Sequence, residues 1–173
     1  MNYKTPSPGD IGLTPRLCQD AMIEMLQALF EGKTFGGPGG RKPLNFYPQD
    51  IPVPDETDYD ADTDNAPAPY VIVKLDGGVI RDEDKPQVMD MSLIICTYDA
   101  GKDRLGYQDA ANIKEDIVQK VCTQPYFGGA FTVQKPIAWA MQEDDTHHYY
   151  YAAVTLSVTA PAMTQDTELE ALT

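Results

Sequence analysis

The sequence predicts an α+β fold, a two-layer sandwich whose small, mostly antiparallel four-stranded sheet carries two helices on one face. Three patterns predict it. Between Val88 and Tyr98, Met89, Met91, Leu93 and Ile95 recur every second residue, while the other face starts polar with Asp90 and Ser92 and turns apolar with Ile94 and Cys96. A period of two is that of a strand with one side on a core. After a polar loop, Ala110, Ile113, Ile117, Val118, Val121 and Cys122 recur three and four apart, the spacing that gathers side chains on one helix face. Near the end, Tyr150, Ala152, Val154, Leu156 and Val158 alternate with Tyr149, Tyr151, Ala153, Thr155, Ser157 and Thr159, a second half-buried strand.

The other elements follow from local signals. Thr14-Pro15 is a hydroxyl cap followed by a first-turn proline. Leu17, Ala21, Met22, Met25, Leu26 and Leu29 then mark one face of a helix, and Gly32 is its stop. From Glu31 to Pro69 periodicity vanishes: Gly36-Gly37-Pro38-Gly39-Gly40 is followed by Pro43, Pro48, Pro52 and Pro54 and then by an acidic run. This reads as a long acidic, Pro/Gly-rich arm. Leu44, Phe46, Tyr47, Ile51 and Val53 are too apolar for a spacer and are expected to pack on their own domain or on a neighbour. Tyr70 to Leu75 reads as a short strand ended by a turn at Asp76-Gly77-Gly78. Phe131 opens a further strand with Val133, Ile137, Trp139 and Met141 inward, and Pro136 assigns it to a sheet edge or a bulge. Gln142 to His148 is a polar hairpin loop, and Pro161 ends the last strand. The order is α-β-β-α-β-β in a single domain, 1–173, with core segments 14–30 and 69–161, the arm at 31–68 and an acidic tail at 162–173.

With 173 residues the chain is long enough for one proper core. It has no apolar run near the roughly 20 residues that cross a bilayer, so no membrane partner is expected. Met1 to Gly9 is polar and lacks a signal core, so export by a signal peptide is not expected. Cys18, Cys96 and Cys122 are odd in number and set in apolar patterns, which reads as reduced core cysteines of an intracellular protein. The net charge of −14 argues against a nucleic-acid groove, since holding phosphates needs clustered Lys and Arg. It leaves room for a protein that DNA passes without being held. Asp50 to Asp64 carries seven acids and no base, among them Asp55, Glu56, Asp58, Asp60, Asp62 and Asp64.

Chemical motifs fail on inspection. Gly32-Lys33-Thr34 imitates the end of a phosphate loop, but Gln27 stands where the first glycine belongs and a helix precedes it instead of a strand. Asp58-Tyr59-Asp60-Ala61-Asp62 imitates a calcium loop, but Thr63 replaces its glycine and Pro69 its bidentate glutamate. His147-His148 beside Asp144 and Asp145 could form a weak metal site or a base pair with a carboxylate, but a hairpin tip open to water suits neither. Tyr149-Tyr150-Tyr151 and Trp139 lack the interleaved bases of a nucleobase platform and read as sheet core and aromatic interface. No nucleophile arrangement stands at a defensible spacing. Neither catalysis nor a cofactor is expected.

Four pieces in order, Pro69 to Val73, Met91 to Asp99, Gly106 to Ile113, and Ile137-Ala138-Trp139 with Tyr149 to Val154, resemble the tail terminator (tail completion) proteins of long-tailed bacteriophages and prophages. The resemblance covers roughly Thr14 to Pro161 and rests on structural motifs. It implies an α+β sandwich that assembles into a ring, usually a homohexamer. The ring caps the finished tail tube, stops its polymerisation and meets the head–tail connector protein. The tail tube protein and that connector would be the partners, and DNA would cross the channel without specific binding. The implied location is the virion at the head–tail junction, after assembly in the host cytoplasm. A heterologous ring contact needs two different patches, for which Leu44, Phe46, Tyr47, Ile51 and Val53 on the arm, and Tyr149 and Tyr151 on the sheet, are the candidates. The arm, longer and more acidic than a minimal member needs, departs from the family pattern. Another neck component, such as a stopper or adaptor, or a tube protein, is the nearest alternative. A small cytoplasmic metal- or ligand-binding domain using Asp50 to Asp64 and His147-His148 is the alternative of a different class.

Overall fold

In the computed structural model, which describes residues 13–52 and 67–163, Thr14 caps helix α1 (Pro15–Leu29). The Thr14 hydroxyl accepts from the Leu17 N–H at 3.3 Å, and Pro15 occupies the first turn. The buried face is Cys18, Gln19, Ala21, Met22, Ile23 and Leu26, with Leu17, Met25 and Leu29 packed along its margins. Three short strands follow: β1 (Thr34–Gly37), β2 (Gly40–Pro43) and β3 (Asn45–Pro48). Long strands β4 (Tyr70–Val79) and β5 (Gln87–Tyr98) precede helix α2 (Tyr107–Thr123). After it come β6 (Tyr126–Phe127), β7 (Phe131–Met141) and β8 (Tyr149–Ala160).

The expected four-stranded α+β sandwich is not what forms. The fold is mostly β: a six-stranded sheet in the order β3-β4-β5-β8-β7-β6, curled into a half-barrel, with the separate hairpin β1-β2 and two helices. The sheet is mixed, because β3 runs parallel to β4 while the other neighbours are antiparallel. The stretch read as a long extended arm supplies three of the strands. Its glycine-rich centre is a hairpin turn, Gly37 pairing with Gly40 across it. Nor does the chain turn at Asp76-Gly77-Gly78: β4 continues to Val79 through a bulge between Leu75 and Gly77. Pro136 does sit in an irregularity, since the register of β7 on β8 shifts between Gln134 and Ala138.

Both helices lie on one face of the sheet. Met22 and Leu26 of α1, and Ile113 and Ile117 of α2, join Val71, Val73, Met89, Met91, Leu93, Ile95, Val154, Leu156 and Val158 in a single core cluster. Cys18 is buried there and Cys96 on the opposite face, while Cys122, expected in the core, is exposed. The hairpin is tied to α2 by Asp109, whose carboxylate accepts from the Gly36 N–H at 2.8 Å and from Arg41 Nη1 at 3.2 Å. Gly36 is needed there, because a β-carbon would come within 2.5 Å of the Tyr98 carbonyl oxygen.

Two buried glutamines fix α1 on the sheet. Gln87 Nε2 donates to the Leu13 carbonyl at 2.7 Å, and Gln19 Nε2 donates to the Val73 carbonyl at 2.8 Å and to Gln49 Oε1 at 3.2 Å. Gln49, with φ of 71°, turns its own N–H onto Val73 O at 3.0 Å. Its side-chain amide then pairs with the Leu75 N–H at 2.9 Å and C=O at 3.1 Å, standing in for a neighbouring strand. Gln19→Ala is expected to destabilise the fold by about 1–3 kcal/mol, the cost of stranding buried hydrogen-bonding groups. Leu93→Ala, which empties a fully buried site on the central strand, is expected to cost about 2–5 kcal/mol. Urea unfolding measures both, and equal midpoints for wild type and Gln19→Ala would refute the role given to that side chain.

Candidate functional site

The sheet face turned away from the helices is the candidate site. Alternation along β4, β5 and β8 that sends Val73, Leu93 and Val154 to the core sends Ile72, Ile94 and Ala153 the other way, opposite one another in register. The face has two halves. Towards the β4–β5 connection it is polar: Ser157 Oγ donates to Asp90 at 2.8 Å, and Ser92 Oγ donates to Asp76. At the other end it is aromatic. Ala68, Tyr70, Ile72 and Cys96 form a second small core there, with Tyr47, Ile51, Ile94, Tyr98, Tyr149 and Tyr151 partly buried around it. Tyr47 and Tyr70 meet edge to face at 6.1 Å, and Tyr98 and Tyr149 at 5.2 Å.

The chemistry of this patch is that of neutral hydrogen bonders. Burial pushes the Cys96 thiol up to about 11, partly offset by hydrogen bonds with Tyr70 and Tyr151. Burial also pushes Tyr151 up to about 12 and raises Tyr70 further, each with Cys96 as a contributing neighbour. Tyr47 is raised by burial alone. Cys96 is therefore a thiol at neutral pH, and the phenols hold their protons.

The two histidines adjoin this patch without forming a metal site. His147 Nδ1 lies 2.9 Å from the Tyr150 hydroxyl, and His148 Nδ1 lies 3.3 Å from that of Tyr98. Asp145 is held by Arg104 Nη2 at 2.7 Å, and that hydrogen bond, with one from the His147 N–H, keeps its carboxyl below the usual range. Among the described residues no group of three metal-ligating side chains comes together.

The proposed contact residues separate. Leu44 is buried and Phe46 half-buried on the helix side, where Phe46 packs beside Phe30 at 6.3 Å. Tyr47, Ile51, Tyr149 and Tyr151 gather on the aromatic patch. Val53 and the acids Asp55, Glu56, Asp58, Asp60, Asp62 and Asp64 lie outside the described residues. Sequence reasoning missed Lys114, buried on α2 with its ammonium 3.8 Å from the centre of the exposed Trp139 ring and 3.7 Å from Glu115. A lysine on the margin of an apolar helical stripe was the available signal.

Thiol labelling tests this burial pattern. At neutral pH Cys122 is expected to react first, with Cys18 and Cys96 protected until the protein unfolds. In the folded protein those two thiols, raised to about 12 and about 11, stay protonated up to strongly alkaline pH. Rapid modification of all three in native buffer would contradict it.

No protein-family model matches the chain, and no curated protein matches it. Among solved structures, a chain of the "Virion of native gene transfer agent (GTA) particle" is similar at a TM-score of 0.40 and 10% sequence identity, covering 83% of this chain and 94% of that one. At that score and identity the likeness carries no weight for function.

Proposed function

We propose that this chain is a structural virion protein, a tail terminator that closes into a ring on the end of the tail tube and joins it to the head connector. It acts by shape complementarity and ring closure, without catalysis, at the head–tail junction. The observation that carries the reading is the aromatic half of the outer sheet face. Tyrosines are favoured at contacts because one end is apolar and the other can hydrogen-bond. Here Tyr47, Tyr98, Tyr149 and Tyr151 are only partly buried around a small second core. The resemblance of the strand and helix motifs to tail terminators supplies the kind of assembly. The charge of −14 supports a conduit that repels DNA.

Light scattering over a concentration series is expected to give a closed oligomer of about six copies, the ring form a heterologous contact generates. Adding the protein to growing tail tubes should stop elongation. A strict monomer that leaves tube growth unchanged would overturn the reading. Reversing Asp55, Glu56, Asp58, Asp60, Asp62 and Asp64 to lysine should leave the core fold intact by circular dichroism and make assembled protein retain duplex DNA in a salt-dependent way. Unchanged DNA retention would place those acids away from the channel.

A further inference from the structure

Sheet edges expose backbone donors and acceptors that invite pairing, and proteins usually blunt them with bulges, proline, lysine or covering segments. Most of this sheet's perimeter is treated so. On one side, β3 covers β4 from Tyr70 to Val73, and the Gln49 amide occupies Leu75. On the other, β6 covers β7 at Phe131 and Thr132, and the irregular stretch with Lys135 and Pro136 follows. Two regular runs remain that no strand covers among the described residues: Gly77–Val79 on β4 and Ala138–Met141 on β7.

These runs are complementary. β4, β5, β8 and β7 alternate in direction, so β4 and β7 run oppositely and a second copy set alongside continues the antiparallel pattern. The covered half of β4 lies at the end of the sheet opposite the covered half of β7, so the bare runs meet with a stagger. Small residues, Gly77 and Gly78 on one run and Ala138 and Ala140 on the other, allow close backbone approach. Face parity is compatible: Gly78 and Trp139 share the helix side, as shown by their partners Met89 and Val154, while Val79 and Ala138 share the outer side. Apolar surface stands ready on both runs, with Val79 48% exposed, the adjoining Ile80 61% and Trp139 56%. The turn from Arg81 to Lys85, which sets Asp82, Glu83 and Asp84 between two cations, would approach the end of β7 that carries Lys135.

We infer that copies of this chain join head to tail by antiparallel pairing of Gly77–Val79 on one copy with Ala138–Met141 on the next, in the register that sets Val79 opposite Ala138. The inference deepens the ring reading by naming its contact. It also predicts that the six-stranded sheet continues from subunit to subunit, with Trp139 covered by the neighbour's Gly78.

The test uses the full chain with Cys122→Ser, so that no native exposed thiol competes among the described residues. Val79→Cys and Ala138→Cys together should give, on mild oxidation, disulfide-linked multimers between copies, while each alone stays largely uncrosslinked. In unmodified protein, amide exchange at Gly77–Val79 and Ala138–Ala140 should slow at least tenfold from dilute to concentrated solution. If light scattering shows assembly while neither segment is protected and the double variant does not crosslink, the contact is wrong and the ring reading stands. If the chain stays monomeric at every concentration, alone and with tail tubes, both are overturned.

Discussion

The fold depends on the ladder between β5 and β8, which pairs Gln87 with Ala160 at one end and Tyr98 with Tyr149 at the other. Both strands are twelve residues long and lie at the centre of the sheet. Because the side-chain period is two, one register decides the fate of every residue. In this one, Met89, Met91, Leu93 and Ile95 face Val158, Leu156, Val154 and Ala152 across the ladder, all buried under the helices. A slip by one residue would turn Asp90 and Ser92 into that core and Leu93 out of it. Each misplaced leucine-sized side chain forfeits about 1.5–3 kcal/mol of burial, so the alternative registers lose by a wide margin.

The ladder also explains why the polar residues of the core are few and fully bonded. Gln19 and Gln87 are almost completely buried, yet each amide donates to a backbone carbonyl, Gln19 to Val73 and Gln87 to Leu13. They set the position of α1 along the sheet, which the apolar contacts alone, being non-directional, would leave loosely specified. Gln49 extends the same logic to the edge. Its left-handed backbone, costing about 1–2 kcal/mol, places one side chain where it satisfies the Leu75 N–H and C=O together.

Helices α1 and α2 and strands β5 and β8 were legible in the sequence because each buries one face against a continuous layer. By contrast β4, expected to end at Leu75, runs on to Val79, and β7, expected to turn Trp139 inward, leaves it exposed. The alternation in β5 and β8 and the capped start of α1 appear in the structure where the residues put them. The short strands were not legible, for physical reasons. β3 is four residues long, and its consecutive aromatics Phe46 and Tyr47 serve opposite faces, so it shows no one-sided period. It exists because parallel pairing to β4 gives it partners distant in sequence. The first four residues of β4 are buried on both faces for the same reason, and only where β3 stops does exposure return. The sequence Gly37-Pro38-Gly39-Gly40 did carry a hairpin signal, obscured by the prolines and acids around it. Of the candidate contacts, Tyr149 and Tyr151 follow from strand parity alone. The split of Leu44 and Phe46 from Tyr47 and Ile51 depends on β3 and so stayed hidden.

Charge and edge pairing then bear on each other in the proposed ring. A chain carrying −14 repels its own copies, and at physiological ionic strength that repulsion acts over about 8 Å. With twenty-seven Asp and Glu against thirteen Lys and Arg, most acids in a subunit contact would lack a cationic partner. Backbone pairing avoids the difficulty, because it joins neutral dipoles of fixed geometry and depends little on side-chain charge. It also fixes orientation, which a tyrosine-rich patch alone does not. Repulsion distributed over the surface and attraction confined to two short edges favour a closed ring, in which both edges are satisfied, over disordered association, in which bare edges remain.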